Sequence, residues 1–305
     1  MWRLISAQHP VRRWRAGRES FIEFLLFCAA VSSVFITLGI VYILVSESLP
    51  FFKNVSMVEF LTGTEWTPLF AEARYGILPL VCGTFLSTII ALTVAIPVGT
   101  VAAAYLSEYA GSRAREILKP VMELLAAVPT VVYGYFALLF VSPLLQKVFP
   151  QMGGFSVLSA GLVMGVMIVP YISSLSEDAL RAAPQHLREA SMALGASKLQ
   201  TVFKVLIPSC FSGITSAYIL GISRAFGETM VVAIAAGMQP NLTLNPTEPA
   251  ATITAFIVQV SLGDLPHGSI GYQSIYVAGL TLFLMTMTFN IIGLWVRKRY
   301  QEKDA

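Results

Sequence analysis

Long apolar blocks alternate with short polar segments along almost the whole chain. The blocks reach or approach the roughly 20 residues that an α-helix needs to cross the hydrocarbon core of a bilayer. The pattern therefore predicts an all-α integral membrane protein with six transmembrane helices. The predicted spans are about 21–46, 77–106, 117–145, 157–175, 210–237 and 273–296.

Composition also favours a membrane protein over a soluble one. Of the 305 residues, 56% are hydrophobic and 12% are charged, whereas soluble domains carry about 25% charged residues. The three cysteines lie inside apolar blocks and the three histidines are scattered, so we expect no disulfide, metal site or cofactor. We divide the chain into a basic N-terminal segment, 1–20, and one transmembrane domain, 21–305.

The distribution of positive charge predicts the orientation. If the six spans alternate in direction, the connecting segments fall into two groups, one on each face of the membrane. The first group is 1–20, 107–119, 176–209 and 297–305. The second group is 47–76, 146–156 and 238–272. Sixteen of the 20 Lys and Arg residues lie in the first group and three in the second. Because basic loops stay in the cytoplasm, both termini of this multi-pass cell inner-membrane protein are expected there.

Two predicted spans carry small residues at every fourth position, which share one face of a helix and allow close helix approach. The first stripe is Gly83, Ser87, Ala91, Ala95, Gly99 and Ala103. The second stripe is Gly213, Ala217, Gly221 and Ala225. Pro97 and Pro129 interrupt their spans and are expected to kink them. The apolar segment 249–262 is too short to span and is predicted to be an outer-face or re-entrant helix.

The basic loop 176–209 is predicted to form two short helices joined by a glycine corner. Pro184 suits a first helical turn, Gly195 suits a left-handed helix end, and Ser197 suits the cap of a second helix that runs to Pro208. Such an elbow could present a face to a partner protein. An amphipathic connector that lies in the lipid headgroups explains the same pattern equally well.

Within this loop, Glu189-Ala190-Ser191, then Gly195, then Val205-Leu206-Ile207-Pro208 resembles the EAA loop of ABC importer permeases. The spacing fits that motif throughout, with conservative replacements at three positions. The resemblance implies a type I ABC importer permease fold, in which this loop docks on the ATP-hydrolysing subunit. Glu189, Ala190 and Gly195 would then lie at the joint. The chain has no Gly-x-x-x-x-Gly-Lys-Ser/Thr phosphate loop. ATP hydrolysis is therefore expected in a separate polypeptide, and no residue of this chain is expected to be catalytic.

Arg224 and Glu228 are charged residues inside an apolar span. Four residues apart, they are predicted to share a helix face with Ser212 and Ser216. Charged residues inside spans usually mark a substrate path, and an arginine can hold an oxyanion through two parallel hydrogen bonds. Glu228 would neutralise Arg224 when the path is empty. The alternative is an ion pair that only holds helices together.

Three further segments resemble the phosphate-specific permeases of the Pst system, and the PstC-type subunit in particular. They are "SRAFGETM" (223–230), "AAVPTVVYG" (126–134) and "YGILPLVCGT" (75–84). The resemblance implies a role for Arg224 and Glu228 in phosphate passage. It also implies four partner chains: a homologous PstA-type permease, two PstB-type ATP-binding subunits and an extracytoplasmic PstS-type phosphate-binding protein, which would dock on 47–76 and 238–272. No nucleic acid partner is expected.

Other functions remain open at this level. Sulfate and molybdate permeases also carry an EAA loop, so the oxyanion rests on resemblance alone. A gated anion channel or an ion-coupled transporter would explain Arg224 and the apolar spans but leaves the EAA-like spacing unexplained. A membrane enzyme lacks a plausible nucleophile, base or metal set.

Overall fold

The regular structure is helical throughout the residues described by the computed structural model, which are 10–70, 72–263, 265–266 and 268–301. In chain order the helices are α1 (Pro10–Asn54), α2 (Met57–Thr62), α3 (Leu78–Ala104), α4 (Ser112–Ala127), α5 (Thr130–Phe136), α6 (Ser142–Val148), α7 (Val157–Arg181), α8 (Gln185–Ala193), α9 (Lys198–Thr201), α10 (Ile207–Ser209), α11 (Phe211–Phe226), α12 (Met230–Ala235), α13 (Ile253–Ser261) and α14 (Ile270–Gln301). Short π-helical turns extend α3 (Tyr105–Tyr109), join α5 to α6 (Ala137–Val141) and join α9 to α10 (Val202–Leu206). The predicted all-α fold is confirmed.

Five helical stretches in the described part of the chain are long and apolar enough to cross a membrane. They are Arg18–Asn54, Leu78–Tyr109, Thr130–Val148, Val157–Arg181 and Ile270–Arg299. The run Lys198–Ser209 and the helix Phe211–Phe226, which meet at a bend of 76°, make a sixth when they are taken together. The total then agrees with the six predicted spans, although several boundaries differ.

The third predicted span, 117–145, is broken. α4 ends at Ala127 and α5 begins at Thr130, with Val128 between them in an extended conformation (φ −63°, ψ 130°). Pro129 explains the break, because its ring removes an N–H and disfavours helical geometry in the preceding residue. The apolar crossing is therefore Thr130–Val148, and α4 contributes no buried residue. The expected kink at Pro129 is a complete interruption.

The fifth predicted span, 210–237, is also not one helix. α11 ends at Phe226 with Gly227 as its C-terminal cap, and α12 starts again at Met230. Glycine is a poor helix former, and here it marks the point where the chain leaves the helix axis. A continuous helix beyond 226 was a wrong prediction.

The first span is longer than predicted. α1 starts at Pro10 and continues to Asn54, so residues 10–20 of the predicted basic segment belong to the same helix as the span. Residues 1–9 of that segment lie outside the described residues. At its other end, α1 takes up the first part of the predicted loop 47–76, and α2 takes up another part of it.

Both predicted small-residue stripes face α7 over much of their length, while Gly83 at the start of the first stripe faces Ala251. All six members of the α3 stripe are buried. A Cβ placed on Gly99 would lie 2.8 Å from Ile172 Cγ2, and one placed on Gly221 would lie 3.0 Å from Ile172 Cδ1. α7 contributes its own close approach, since a Cβ on Gly165 would lie 2.8 Å from the Ala91 carbonyl oxygen. The backbones of α3 and α7 therefore pack in direct contact, and α11 packs closely on the Ile172 side chain of α7, as small residues permit in membrane bundles.

The chain between α12 and α14 folds back into one end of the bundle. α13, which corresponds to the predicted outer-face or re-entrant helix at 249–262, buries Ile253 and Phe256 completely or nearly so. Phe256 packs edge-to-face on Trp66 with ring centroids 5.0 Å apart. We call the end of the bundle that carries α8 the basic end. The end where α13 packs on Trp66 is called the opposite end.

Candidate functional site

Arg224 lies in the last turn of α11, with its guanidinium carbon 4.4 Å from the centroid of the Tyr171 ring on α7. At this distance an arginine over an aromatic face makes a cation–π contact. Arg224 Nε is buried and has no hydrogen-bond partner among the described residues. Because buried donors are nearly always paired, this unpaired N–H is unusual and makes Arg224 a candidate binding residue.

The prediction that Glu228 shares a helix face with Arg224 is wrong, because α11 ends two residues before Glu228. Its carboxylate instead turns to the start of α12, where Oε1 accepts hydrogen bonds from the backbone N–H groups of Met230 (3.1 Å) and Val231 (3.3 Å). Its carbonyl oxygen accepts a hydrogen bond from Thr254 Oγ1 on α13 at 2.7 Å. Within the described part of the chain, no ion pair joins Glu228 to Arg224. The predicted neutralisation of one by the other is therefore absent from this structure.

Arg224 and Glu228 flank the interruption between α11 and α12. Irregular backbone at membrane depth is tolerated where it is buried in protein or lines a water-filled cavity, and broken helices often form substrate sites in transporters. Here the break lies between a residue whose guanidinium has an unpaired donor and a residue whose carboxylate is held by backbone N–H groups. This arrangement can bind an oxyanion, and the roles of both residues stay predictions.

A groove of about 370 Å³ runs between α11 and α14 on the side toward the basic end. Ser216, Asn290 and Arg297 supply its polar lining. Ser223 Oγ donates to Asn290 Oδ1 at 2.8 Å, so a polar link also joins the two helices closer to Arg224. The predicted polar stripe is thus partly realised, since Ser216 lines the groove while its hydroxyl bonds the Ser212 carbonyl at 2.8 Å.

The predicted elbow is present at the basic end. Gly195 has φ +83°, in the left-handed region that favours glycine. Ser197 forms a capping box with Gln200 at the start of the second arm. Ser191 on the first arm and Thr201 on the second are hydrogen-bonded at 2.9 Å, which holds the two arms together.

The outer surface of the elbow is available to a partner. Glu189 and Ala190 on α8 are exposed, and Glu189 accepts a hydrogen bond from Gln185 Nε2 at 2.9 Å. Leu194 at the corner is 89% exposed. The structure thus places Glu189, Ala190 and Gly195 together at one corner, far along the chain from Arg224, and their coupling role stays a prediction.

Two charge clusters at the basic end were not found from the sequence. Arg188 on α8 binds Glu108 in the turn that extends α3, with Nη2 to Oε1 at 2.8 Å. Glu177 on α7 is fully buried and lies 3.3–3.6 Å from the cationic groups of Arg115, Lys119 and Arg181. The sequence does contain a signal for both contacts. Glu108 and Glu177 are acidic residues at the ends of two spans, next to loops rich in Lys and Arg.

Comparison with known proteins adds independent information. Residues 95–303 match the family described as "Binding-protein-dependent transport system inner membrane component". The probable ABC transporter permease protein YqgH of Bacillus subtilis (strain 168) is 36% identical over 247 residues, which cover 81% of this chain and 80% of that protein. The phosphate transport system permease protein PstC of Xylella fastidiosa (strain 9a5c) is 30% identical over 320 residues, with coverage of 96% and 95%.

Solved structures support the fold. A bacterial ABC transporter that imports the acidic polysaccharide alginate matches with a TM-score of 0.64 at 14% identity, and the match covers 93% of this chain and 99% of that chain. An inward-facing MetNI methionine ABC transporter matches with a TM-score of 0.54 at 18% identity, over 74% and 94%. At these identities the similarity concerns the fold alone, and it confirms the predicted type I ABC importer permease architecture.

Proposed function

This chain belongs to the family of binding-protein-dependent transport system inner membrane components, and we propose that it is the PstC-type permease subunit of an ATP-driven phosphate importer. The family match covers about two-thirds of the chain, and several relatives aligned over most of it are phosphate permeases by name. The observation that supports phosphate as the substrate of this chain is Arg224. It is a permanent positive charge inside the bundle, and its buried Nε–H has no acceptor among the described residues.

Arg224 would hold the anion in transit. A guanidinium binds phosphate through parallel N–H···O bonds in its own plane, and the carbon of the Arg224 guanidinium lies 4.4 Å from the centroid of the Tyr171 ring. A transport site has to release its ligand in every cycle, and binding by a single arginine is suited to that weak binding. The groove between α11 and α14, which has Ser216, Asn290 and Arg297 in its lining, would then lie on the path between Arg224 and the basic end.

Glu228 would favour an anion that still carries a proton. A carboxylate held by two backbone N–H groups is an acceptor only. Phosphate keeps a proton at neutral pH and can donate it in a hydrogen bond, whereas sulfate has none and would be repelled. The acceptor therefore supports phosphate over sulfate or molybdate.

The partner chains follow from the same proposal. Both termini and the elbow would lie in the cytoplasm, where α8 would dock on one of two PstB-type ATPase subunits that hydrolyse ATP. A PstA-type permease would complete the pathway. A PstS-type phosphate-binding protein would dock on the opposite end, formed by the segments within 47–76 and 238–272. The family match disfavours a channel or ion-coupled transporter that works without an ATPase.

Arg224→Gln in the complete importer, reconstituted in proteoliposomes, tests the proposal. Uptake of labelled phosphate should fall about a hundredfold or more, because charge-assisted hydrogen bonds are worth roughly 1.5–3 kcal/mol each. Arg299→Gln is the matched control, since Arg299 also stacks on an aromatic ring, Trp295, at 5.2 Å but lies exposed at the end of α14. Glu228→Gln should reduce the preference for phosphate over sulfate by at least about tenfold. Normal phosphate uptake by Arg224→Gln would refute the proposed site.

A further inference from the structure

Tyr171 connects the proposed anion site to the broken third span. It follows Pro170 in α7, and its ring lies under the Arg224 guanidinium at 4.4 Å. Its hydroxyl faces the Ala126 carbonyl oxygen, 3.5 Å away, in the last turn of α4. Tyr133 donates to the neighbouring carbonyl of Leu125 at 2.7 Å, which also accepts the Val128 N–H at 3.4 Å, so two tyrosines meet carbonyl groups in the last turn of α4.

We propose that Tyr171 is a positioning residue for the anion site, and that its ring holds the Arg224 guanidinium by one face so that the in-plane N–H groups point at the passing oxyanion. This inference rests on the proposed function, and it adds to it a residue from a different helix. Nothing in the chemistry of the substrate requires Tyr171 to touch the anion itself.

The geometry separates two ways of holding an arginine. A carboxylate partner binds the edge of the guanidinium and uses the same donors that phosphate needs. An aromatic ring binds the face, uses no donor and leaves the charge in place. Arg224 has the second arrangement, with a buried Nε that lacks an acceptor among the described residues.

Arg188 in the same chain shows the first arrangement. Its guanidinium donates to Glu108 and to the carbonyl oxygens of Ala183 and Leu180, at distances from 2.7 to 3.2 Å. Those contacts occupy the donors on every side, which suits a structural joint. The contrast indicates that Arg224 is held for binding and Arg188 for attachment.

The contact between Arg224 and Tyr171 predicts a pattern across substitutions. Tyr171→Phe keeps the ring face and should transport phosphate within about twofold of the unaltered importer. Tyr171→Leu removes the face and should lower phosphate turnover about tenfold, the scale of a partly desolvated cation–π contact. Tyr171→Met is a second ring-free variant in case the leucine variant assembles poorly.

A double-mutant cycle distinguishes positioning from general packing. Lysine is a point charge without a planar fork, so in an Arg224→Lys background the ring has no fork to orient. Adding Tyr171→Leu to Arg224→Lys should therefore lower phosphate uptake by less than about twofold. A purely structural role would give the same factor in both backgrounds. Tyr218→Leu is the control, because Tyr218 bonds Thr100 at 2.7 Å on α3, and its effect should multiply equally in both.

The experiment measures phosphate uptake and ATP hydrolysis by the reconstituted importer, each normalised to assembled complex. Equal losses for Tyr171→Phe and Tyr171→Leu would assign the effect to the hydroxyl contact with Ala126 and overturn the inference. Normal uptake by both ring-free variants, or equal factors in both arginine backgrounds, would also overturn it. If these occur while Arg224→Gln still abolishes uptake, the proposed function stands. Normal uptake by Arg224→Gln would remove both.

Discussion

Arg188 on α8 binds Glu108, in the π-helical turn that extends α3, through two nitrogens, with Nε 3.1 Å and Nη2 2.8 Å from Oε1. The same guanidinium donates to the carbonyl oxygens of Leu180 and Ala183, both at 2.7 Å, where α7 ends. One side chain therefore joins α8 to the ends of α3 and α7. Because these two helices pack through their backbones, a displacement of α8 should pass directly into the core of the bundle.

We expect Glu108→Gln to loosen this joint and to lower the amount of phosphate moved per ATP hydrolysed by about tenfold. The neutral side chain cannot keep the charge-assisted fork, and breaking one partner of a half-buried pair costs roughly 2 kcal/mol or more. The measurement is the ratio of uptake to ATP hydrolysis in proteoliposomes. Glu116→Gln, an exposed acid on α4, serves as control. An unchanged ratio in Glu108→Gln would show that α8 transmits movement by another route.

Gly195 is expected to tolerate only residues that accept a left-handed backbone. A Cβ there meets no atom within 4 Å, so the constraint is its φ of +83° and not space. Gly195→Asn should be nearly neutral, Gly195→Val should cost about 1–2 kcal/mol, and Gly195→Pro should disrupt the elbow because proline requires a φ near −65°. Co-purification of the ATPase subunit measures the effect.

Gly111→Pro is the matched control for the elbow. Gly111 has φ −67° and follows Ala110 in an extended conformation, which proline accepts. It should assemble normally. If Gly195→Pro recovers as much ATPase as Gly111→Pro does, the elbow geometry is not needed for docking.

Close contact between α7 and α3 should make Gly165 intolerant of any larger residue. Gly165→Val would place atoms against the Ala91 carbonyl, already only 2.8 Å from a built Cβ, and force the two helices apart. We expect the yield of folded protein in mild detergent to fall by more than about tenfold, since a shift of this kind costs roughly 1–3 kcal/mol or more. Gly39→Val on α1, where a Cβ meets nothing within 4 Å, should fold like the unaltered chain.

The buried carboxylate of Glu177 should contribute more to stability than its neighbour Asp178. Its side chain is 1% exposed and contacts three cations, whereas that of Asp178 is 63% exposed and contacts Lys119 alone at 3.6 Å. Glu177→Gln should lower the thermal unfolding midpoint by about 4–8 °C, the equivalent of roughly 2 kcal/mol. Asp178→Asn should change it by less than about 2 °C, as is usual for exposed pairs. Equal shifts in the unfolding midpoint would mean that the buried Glu177 carboxylate contributes no more to stability than the exposed Asp178 carboxylate.

Several features of the fold and the site follow from local sequence. The α3 stripe from Gly83 to Ala103 is buried along its whole length, as its spacing predicts. Gly195 and Ser197 adopt the turn and the cap that their chemistry favours. Such features depend on neighbours within one or two helical turns, so the residues themselves carry the information.

The departures arise where a local choice had two outcomes. Pro129 could kink a helix or end it, and Gly227 could continue α11 or end it. In both places the helix ends, because other groups satisfy the backbone that is left free. Tyr133 bonds the carbonyl of Leu125 before Pro129, and the Glu228 carboxylate bonds the N–H groups that follow Gly227.

By itself the sequence determined the membrane-spanning class, the small-residue faces, the elbow and the presence of two charged residues inside the bundle. Only the tertiary structure decided the partners of those charges: Tyr171 under Arg224, backbone N–H groups at Glu228, and Glu108 beside Arg188. The physical reason is that charges and polar groups removed from water must be satisfied, and the groups that satisfy them here lie up to 80 residues away in the chain.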